Sequence, residues 1–432
     1  MSLNLSDSVG MDDLKKRLFF VVFILIIYRA GAHIPVPLIE VSRVMNAFSD
    51  ESSGIFSLFN LFSGGALSKV TIFSLGIMPY ISASIVMQLL STVWEPMEKL
   101  KKEGDIGRRK ISEYTRYFTV ILSTFQAIAM ARFMVGISVI DNMNVIYYFL
   151  IVITLVVGTM FLMWLGEQIT ENGIGNGISL IIFTSIVSNI PRTTVTTLEK
   201  VRQGEINVVF LLFFLILLCG VIFFVVFIER AQRKIIVNYA RRQQGRKMYA
   251  AQSTYLPLKI NMSGVIPPIF ASSVILFPVT LIQWLDNSST NLFLNNVKLL
   301  ISPGKPLYIM VFGFSIVFFC FFYTSLIFNS NDTAENLKKS GGFISGIRPG
   351  DQTAHYISKI VAKLTTIGAL YLVIVSLLPE FLILFTNIPF YFGGTSILII
   401  VVVVMDFISQ IQTKLISYQY DGLMKKSKLK GF

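Results

Sequence analysis

"GIMPYISAS" at residues 76–84 and "GVIPPIFAS" at 264–272 carry Gly, Pro, Ile, Ala and Ser at the same places, five identities in nine. Each stretch lies in an apolar run of membrane-spanning length, the second such run in its half of the chain. A proline inside a helix removes one backbone hydrogen bond and kinks the helix, and a nearby glycine loosens it. Backbone groups freed in this way are tolerated in a bilayer only where protein or a water-filled cavity covers them. A matched pair of Gly/Pro-interrupted spans therefore points to an internal repeat around a central pathway, running beside Pro79 and Pro267.

The 432 residues are 54% hydrophobic and 14% charged, against about 25% charged in soluble globular domains. This composition predicts an all-α integral membrane protein. Apolar runs of about 17 to 25 residues, long enough to cross a hydrocarbon core, fall near 18–37, 71–92, 114–136, 146–166, 174–190, 207–228, 263–285, 307–328, 365–385 and 392–411. The first follows Lys15, Lys16 and Arg17, is too long for the apolar core of a signal peptide, and has no small-x-small cleavage site soon after it. It is read as a retained span.

Basic residues sort the loops, because Lys and Arg accumulate on the cytoplasmic side. Lys99, Lys101, Lys102, Arg108, Arg109 and Lys110 fill one loop, and Arg230, Arg233, Lys234, Arg241, Arg242, Arg246, Lys247 and Lys259 another. Lys338, Lys339, Arg348, Lys359 and Lys363 fill a third, and Lys425, Lys426, Lys428 and Lys430 the tail. The intervening loops are nearly bare, so both termini are expected in the cytoplasm, which an even count of ten spans satisfies. Division at the polar stretch 191–206 gives five spans on each side, and an odd number per half inverts one half against the other. The expected organisation is an N-terminal half at 1–190, an external hinge linker at 191–206 and a C-terminal half at 207–432. The last has cytoplasmic loops at about 229–262 and 329–363 and a basic tail.

Helical spacing puts Ile77 with Ile81, and Ile178 with Ile182, on single helix faces, and Ile269 is the echo of Ile81. On spacing alone such isoleucines are equally packed core or lipid-facing. Cys219 and Cys320 both fall in apolar runs and suit packing, and His33 and His355 stand apart from any carboxylate or cysteine cluster. The formal charge of +13 is confined to loops, where anionic lipid headgroups account for much of it. The 229–262 loop is denser in cations than orientation requires, with Tyr239, Tyr249 and Tyr255 interleaved, which suits an acidic or RNA-bearing partner.

Three classes of function compete. An ion-coupled secondary transporter of a small solute needs ionisable groups near the bilayer midplane, and Asp406 is the best candidate for a coupling carboxylate. An enzyme is disfavoured, because no HExxH, no GxSxG and no paired carboxylates lie in a span. "GIGNG" at 173–177 departs from a phosphate-binding GxGxxG and joins two spans, so it reads as a tight turn. A passive channel, closed by an apolar constriction and driven from outside by a partner on the basic face, remains.

"FNLFSGGALSK" (59–69), "KKEGDIGRRKISEYTRY" (101–117), "MFLMWLGEQITENGIGNGIS" (160–179), "NYARRQQGRKMYAAQSTYLPLKINMSGVIPPIFASS" (238–273), "NLKKSGGFISGIRPGDQTAHYI" (336–357) and "PFYFGGTSILIIVVVVMDF" (389–407), with the echo itself, closely resemble the SecY family. The resemblance runs from Leu14 to Phe432. It implies a protein-conducting channel of the bacterial plasma membrane. Ten transmembrane helices would form an hourglass from two inverted five-helix halves, opening across the membrane for secreted chains and sideways for membrane segments. The implied partners are the SecE and SecG subunits, the SecA motor ATPase, the ribosome, an unfolded precursor polypeptide with its signal sequence, and membrane lipids. No cofactor and no direct nucleotide binding are implied.

The family's hydrophobic pore ring falls on Ile77, Ile81, Ile178, Ile182, Ile269 and Ile399. Its plug, a short helix folded into the channel mouth, falls at about 55–70 with Phe59, Asn60, Leu61, Phe62, Ser63, Gly64, Gly65 and Lys69. In that placement Phe59, Leu61 and Phe62 would cover the ring, and Lys69 would lie at the outer, wetted end. Its lateral gate matches Ser82, Gln126 and Asn261, and its docking positions for SecA or the ribosome match Arg246, Lys247 and Arg348. The sequence departs from the pattern at Pro268, where many relatives have alanine, and in a short loop near 137–147.

Overall fold

The structure, a computed structural model, describes residues 5–37, 39, 60, 63–138, 145–204, 207–239, 242–244, 247–249, 253–285, 305–386 and 394–429. In chain order its first helices are α1 (Leu5–Gly31), α2 (Met78–Val93), α3 (Glu95–Lys102), α4 (Asp105–Ser138), α5 (Val145–Asn172), α6 (Gly177–Arg202) and α7 (Val208–Arg230). Strands β1 (Gln232–Tyr239), β2 (Arg242–Gln244), β3 (Lys247–Tyr249) and β4 (Ser253–Lys259) follow. The chain then forms α8 (Ile266–Leu285), α9 (Pro306–Ile327), α10 (Ser330–Lys339), β5 (Gly342–Phe343), α11 (Asp351–Thr386) and α12 (Gly394–Leu429). Each of the ten apolar runs overlaps one of these helices. Among the described residues, six stretches are long and apolar enough to cross a membrane: Val145–Asn172, Gly177–Arg202, Val208–Arg230, Pro306–Lys339, Asp351–Pro379 and Gly394–Tyr420. Met78–Val93 and Ile266–Ile275 are shorter apolar helices. The architecture is that of a mostly helical membrane protein with a small strand region between α7 and α8.

The prolines of the echo start helices and do not kink them. Pro79 is the second residue of α2 and Pro267 the second of α8. There a missing N–H costs nothing, since the first N–H groups of a helix have no partner within it. Two residues before each helix stands a left-handed glycine, Gly76 at φ 58° and Gly264 at φ 62°. The two stretches thus share their backbone conformation in register, and residues 71–77, expected within the second span, turn before it. A second difference lies at Pro191, which α6 passes through to reach Arg202. Most of the stretch expected to link the halves is therefore helical.

The chain divides into two compact units, Met1–Val208 with Leu276–Pro303 and Ile399–Phe432, and Val209–Ile275 with Gly304–Leu398. In the first, α2 packs on α4, α4 on α5, and α5 on both α1 and α6. Its core gathers Val36, Val70 and Leu75 against Ala127, Ala131 and Met134 of α4 and Ile151 and Leu155 of α5. In the second, α9 packs on α11, and Phe270 of α8 meets Phe319 and Tyr323 of α9 edge to face at 5.9 and 6.1 Å. The basic loops of this unit, read from sequence as charged connections, form strands. β1 lies between β4 and β5, antiparallel to both, in register Ile236↔Tyr255 and Asn238↔Phe343. Buried Ile235 and Leu258 cover Ile357, Val361 and Leu364 of α11. Strand alternation supplies the inner face, while Arg233, Lys234 and Lys259 remain exposed.

Candidate functional site

Ile77 immediately precedes α2 and Ile81 lies one turn further on, its amide donating to the Ile77 carbonyl at 3.1 Å. Both are buried, as are Ile182 on α6 and Ile399 on α12. Ile178 is half-buried. These five belong to the first unit, and Ile269, buried on α8 at the register of Ile81 on α2, belongs to the second. β-Branched side chains of this kind are stiff at χ1. They offer no hydrogen bond.

Asn60 and residues 63–70 of the candidate plug are described, whereas Phe59, Leu61 and Phe62 lie outside the described residues. The implied short helix is corrected for 63–70, which are successive turns. Hydroxyl and amide side chains here bond the backbone in place of a helical ladder. Ser63 Oγ donates to Asn60 O at 3.2 Å and accepts from Leu67 N, Asn60 Oδ1 accepts from Ser68 N at 3.1 Å, and Ser68 Oγ donates to Gly65 O at 3.0 Å. Gly64 and Gly65 take left-handed φ of 69° and 80°. The segment is seated on α1 and α6: Tyr28 OH donates to Ser63 O at 3.4 Å and shares a hydrogen bond with Ser185 Oγ, and Arg29 Nη1 donates to Gly64 O at 3.4 Å. Lys69 is half-buried with Nζ 3.2 Å from His33 Nδ1. Burial, with the Arg29 and Arg192 charges behind it, holds its ammonium below the usual lysine range. Tyr28 and Ser185 were not legible as a seat, since a hydroxyl in an apolar run names no partner.

The three gate residues differ in how fully they are bonded. Asn261 is buried, its Nδ2 donating to Glu229 Oε1 at 2.6 Å and Gly264 O at 3.1 Å, its Oδ1 accepting from Ser263 Oγ and Gly264 N. Gln126 is buried on α4 with Oε1 lacking a hydrogen-bond partner among the described residues. Ser82 is half-buried on α2. Of the docking positions, Arg348 is exposed, Lys247 opens β3 opposite Gln244, and Arg246 lies outside the described residues. Asp406, the candidate coupling carboxylate, is exposed on α12.

A family model described as SecY matches residues 71–408. The chain belongs to the SecY family. Its sequence is 55% identical over 430 residues to the protein translocase subunit SecY of Vibrio cholerae, covering 98% of this chain and 96% of that one. With the subunit of the same name from Escherichia coli K12 it is 53% identical over 427 residues, again covering 98% and 96%. Among solved structures it resembles a protein-conducting channel (TM-score 0.65, 18% identity) and a SecY protein studied for its plug domain (TM-score 0.68, 18% identity), each covering 94% of this chain and 93% of that one. The Sec61 channel of the canine ribosome-channel complex matches at TM-score 0.64 and 17% identity over the same shares. These likenesses place this SecY-family chain in the fold of protein-conducting channels, and a small-solute transporter is not favoured.

Proposed function

We propose that this chain is the channel through which unfolded secretory polypeptides cross the bacterial plasma membrane, and from which membrane segments leave sideways into lipid. The observation that carries the reading is near full-length identity of 53 to 55% to proteins named as translocase subunits. The six isoleucines supply a collar suited to such passage, being apolar, stiff, indifferent to sequence, and unfavourable to a continuous water column. The turns at 63–70 act as the stopper's hinge, Ser82, Gln126 and Asn261 line the seam, and the basic sheet with Arg348 receives SecA or a ribosome. SecE and SecG complete the complex. Energy comes from those partners, and both termini lie in the cytoplasm with the halves 1–190 and 207–432 inverted about 191–206.

Reconstitution with SecA, ATP and a precursor tests the reading. Protease protection of the precursor is expected, and ion-driven uptake of a solute without precursor movement overturns it. A stalled precursor should crosslink to probes at Ile81 and Ile178 and not at exposed Val86 of the same α2. Equal labelling of all three sinks the ring. Arg348→Glu should slow SecA-dependent transport while the protein remains folded.

A further inference from the structure

The "GIGNG" turn is left without a role by the channel reading, yet it is held by side chains from α1, α5 and α12. α5 ends at Asn172 and α6 begins at Gly177, so the chain reverses within four residues. The last carbonyls of α5 have no partner in their own helix, and a helix C-terminus attracts cations. Two arrive from distant parts of the sequence: Arg17 Nη1 of α1 donates to Asn172 O, and Lys414 Nζ of α12 to Gly173 O, each at 3.5 Å. The two donor helices are fastened to each other, since Asp13 Oδ2 accepts from Tyr418 OH at 2.6 Å and from Arg17 Nε at 3.0 Å. Phe407 of α12 fills the space beside Gly175, where a Cβ would lie 3.3 Å from its ring.

On its far side the turn fixes Ile178. Asn176 Oδ1 accepts from Ile178 N at 3.1 Å, and Thr170 Oγ1 accepts from Gly177 N at 2.9 Å while donating to Gly166 O at 2.9 Å. Gly177 crosses so close to α5 that a Cβ would meet Gly166 O at 1.9 Å. α12 also carries Ile399, about two turns before Phe407.

We propose that residues 172–177 are a strut through which the cytoplasmic ends of α1 and α12 set the position of Ile178 in the constriction, with Thr170, Asp13 and Tyr418 as positioning residues. The inference rests on the reading of Ile178 as part of the ring. A partner that pulls the end of α12 away from α1 would release the strut and loosen the collar from a distance.

Ion leak through reconstituted vesicles, measured beside thermal unfolding, tests this. Ile178→Gly should leak, and if it does not, the ring reading fails first. Given that leak, Thr170→Val and Tyr418→Phe should each raise leak severalfold at an unchanged unfolding temperature, and Thr170→Ser should restore tightness. Tight Thr170→Val and Tyr418→Phe channels overturn the strut, as does leak that rises only in step with lost thermal stability.

Discussion

The starts of α2 and α8 have the same backbone and opposite fastenings. Each has a left-handed glycine two residues ahead and a proline second in the helix. Before α8 a single buried amide, Asn261, makes four hydrogen bonds that close the turn and tie it to Glu229 on α7. Before α2 the bonding is spread over hydroxyls: Thr71 Oγ1 and Ser74 Oγ both donate to Ala66 O, at 3.3 and 3.2 Å, and Ser74 Oγ also to Thr71 O. A lock concentrated in one side chain holds or fails as a unit, whereas a distributed one yields step by step. The distributed lock belongs to the segment that must move if 63–70 is a stopper's hinge, and the concentrated one to the unit that bears the basic sheet.

The largest effect should come from Asn261→Leu, which takes this amide from half-buried Glu229 and Gly264 and from buried Ser263, whose Oγ keeps Cys320 Sγ at 3.2 Å. A hydrogen bond to a charged group contributes roughly 1.5–3 kcal/mol and a neutral one about 1 kcal/mol, so thermal unfolding in detergent should register a loss of about 2–3 kcal/mol. A loss under 1 kcal/mol would mean that the lock is not concentrated there. Next come Gly76→Ala and Gly264→Ala, each expected to cost about 1–2 kcal/mol because a β-carbon disfavours the left-handed region. The two losses should match, and a neutral Gly76→Ala would end the equivalence of the two starts. Ser74→Ala should cost about 1 kcal/mol or less, since Ala66 O keeps the Thr71 amide at 3.0 Å as a donor.

The smallest effect is the pH response of the clamp between α1 and α12, which touches neither start. The Tyr418 hydrogen bond, then Arg17, holds the Asp13 carboxyl below its ordinary 3.8. A lowered folded value means that the stabilisation is present above pH 3.8 and is lost as pH falls through the lowered value. Asp13→Asn should remove that acid-side slope from an unfolding-temperature scan and leave the neutral plateau of the two helix starts unchanged in rank.

The helices were legible because a bilayer demands long apolar runs, whereas the spacing of Ile77, Ile81, Ile178, Ile182 and Ile269 marked shared helix faces or the echo and left open what those faces meet. The echo was legible, but its mechanics were misread: a proline just after a left-handed glycine marks where a helix begins, and the run's apolarity concealed that boundary. The basic sheet was hidden for the opposite reason. Arg233, Lys234 and Lys259 dominate a composition reading, although Ile235, Val237, Leu256 and Leu258 alternate beneath them. Contacts that join distant side chains, such as Tyr28 to Ser185 or Tyr418 to Asp13, leave no local signature.

Gly64 has a consequence best put in the language of the genetic code. Every missense change of a glycine codon adds at least a β-carbon, so mutation here has one direction only. At Gly64 that atom would arrive 3.0 Å from the Ser185 backbone and 3.1 Å from the Tyr28 hydroxyl, in a left-handed conformation that resists it. At neighbouring Gly65 the nearest obstacle is the end of the Asn189 side chain, which can swing aside. Random mutation should therefore unseat the 63–70 turns at the first of these two codons more often than at the second, and inheritance has no small step by which to tighten that seat.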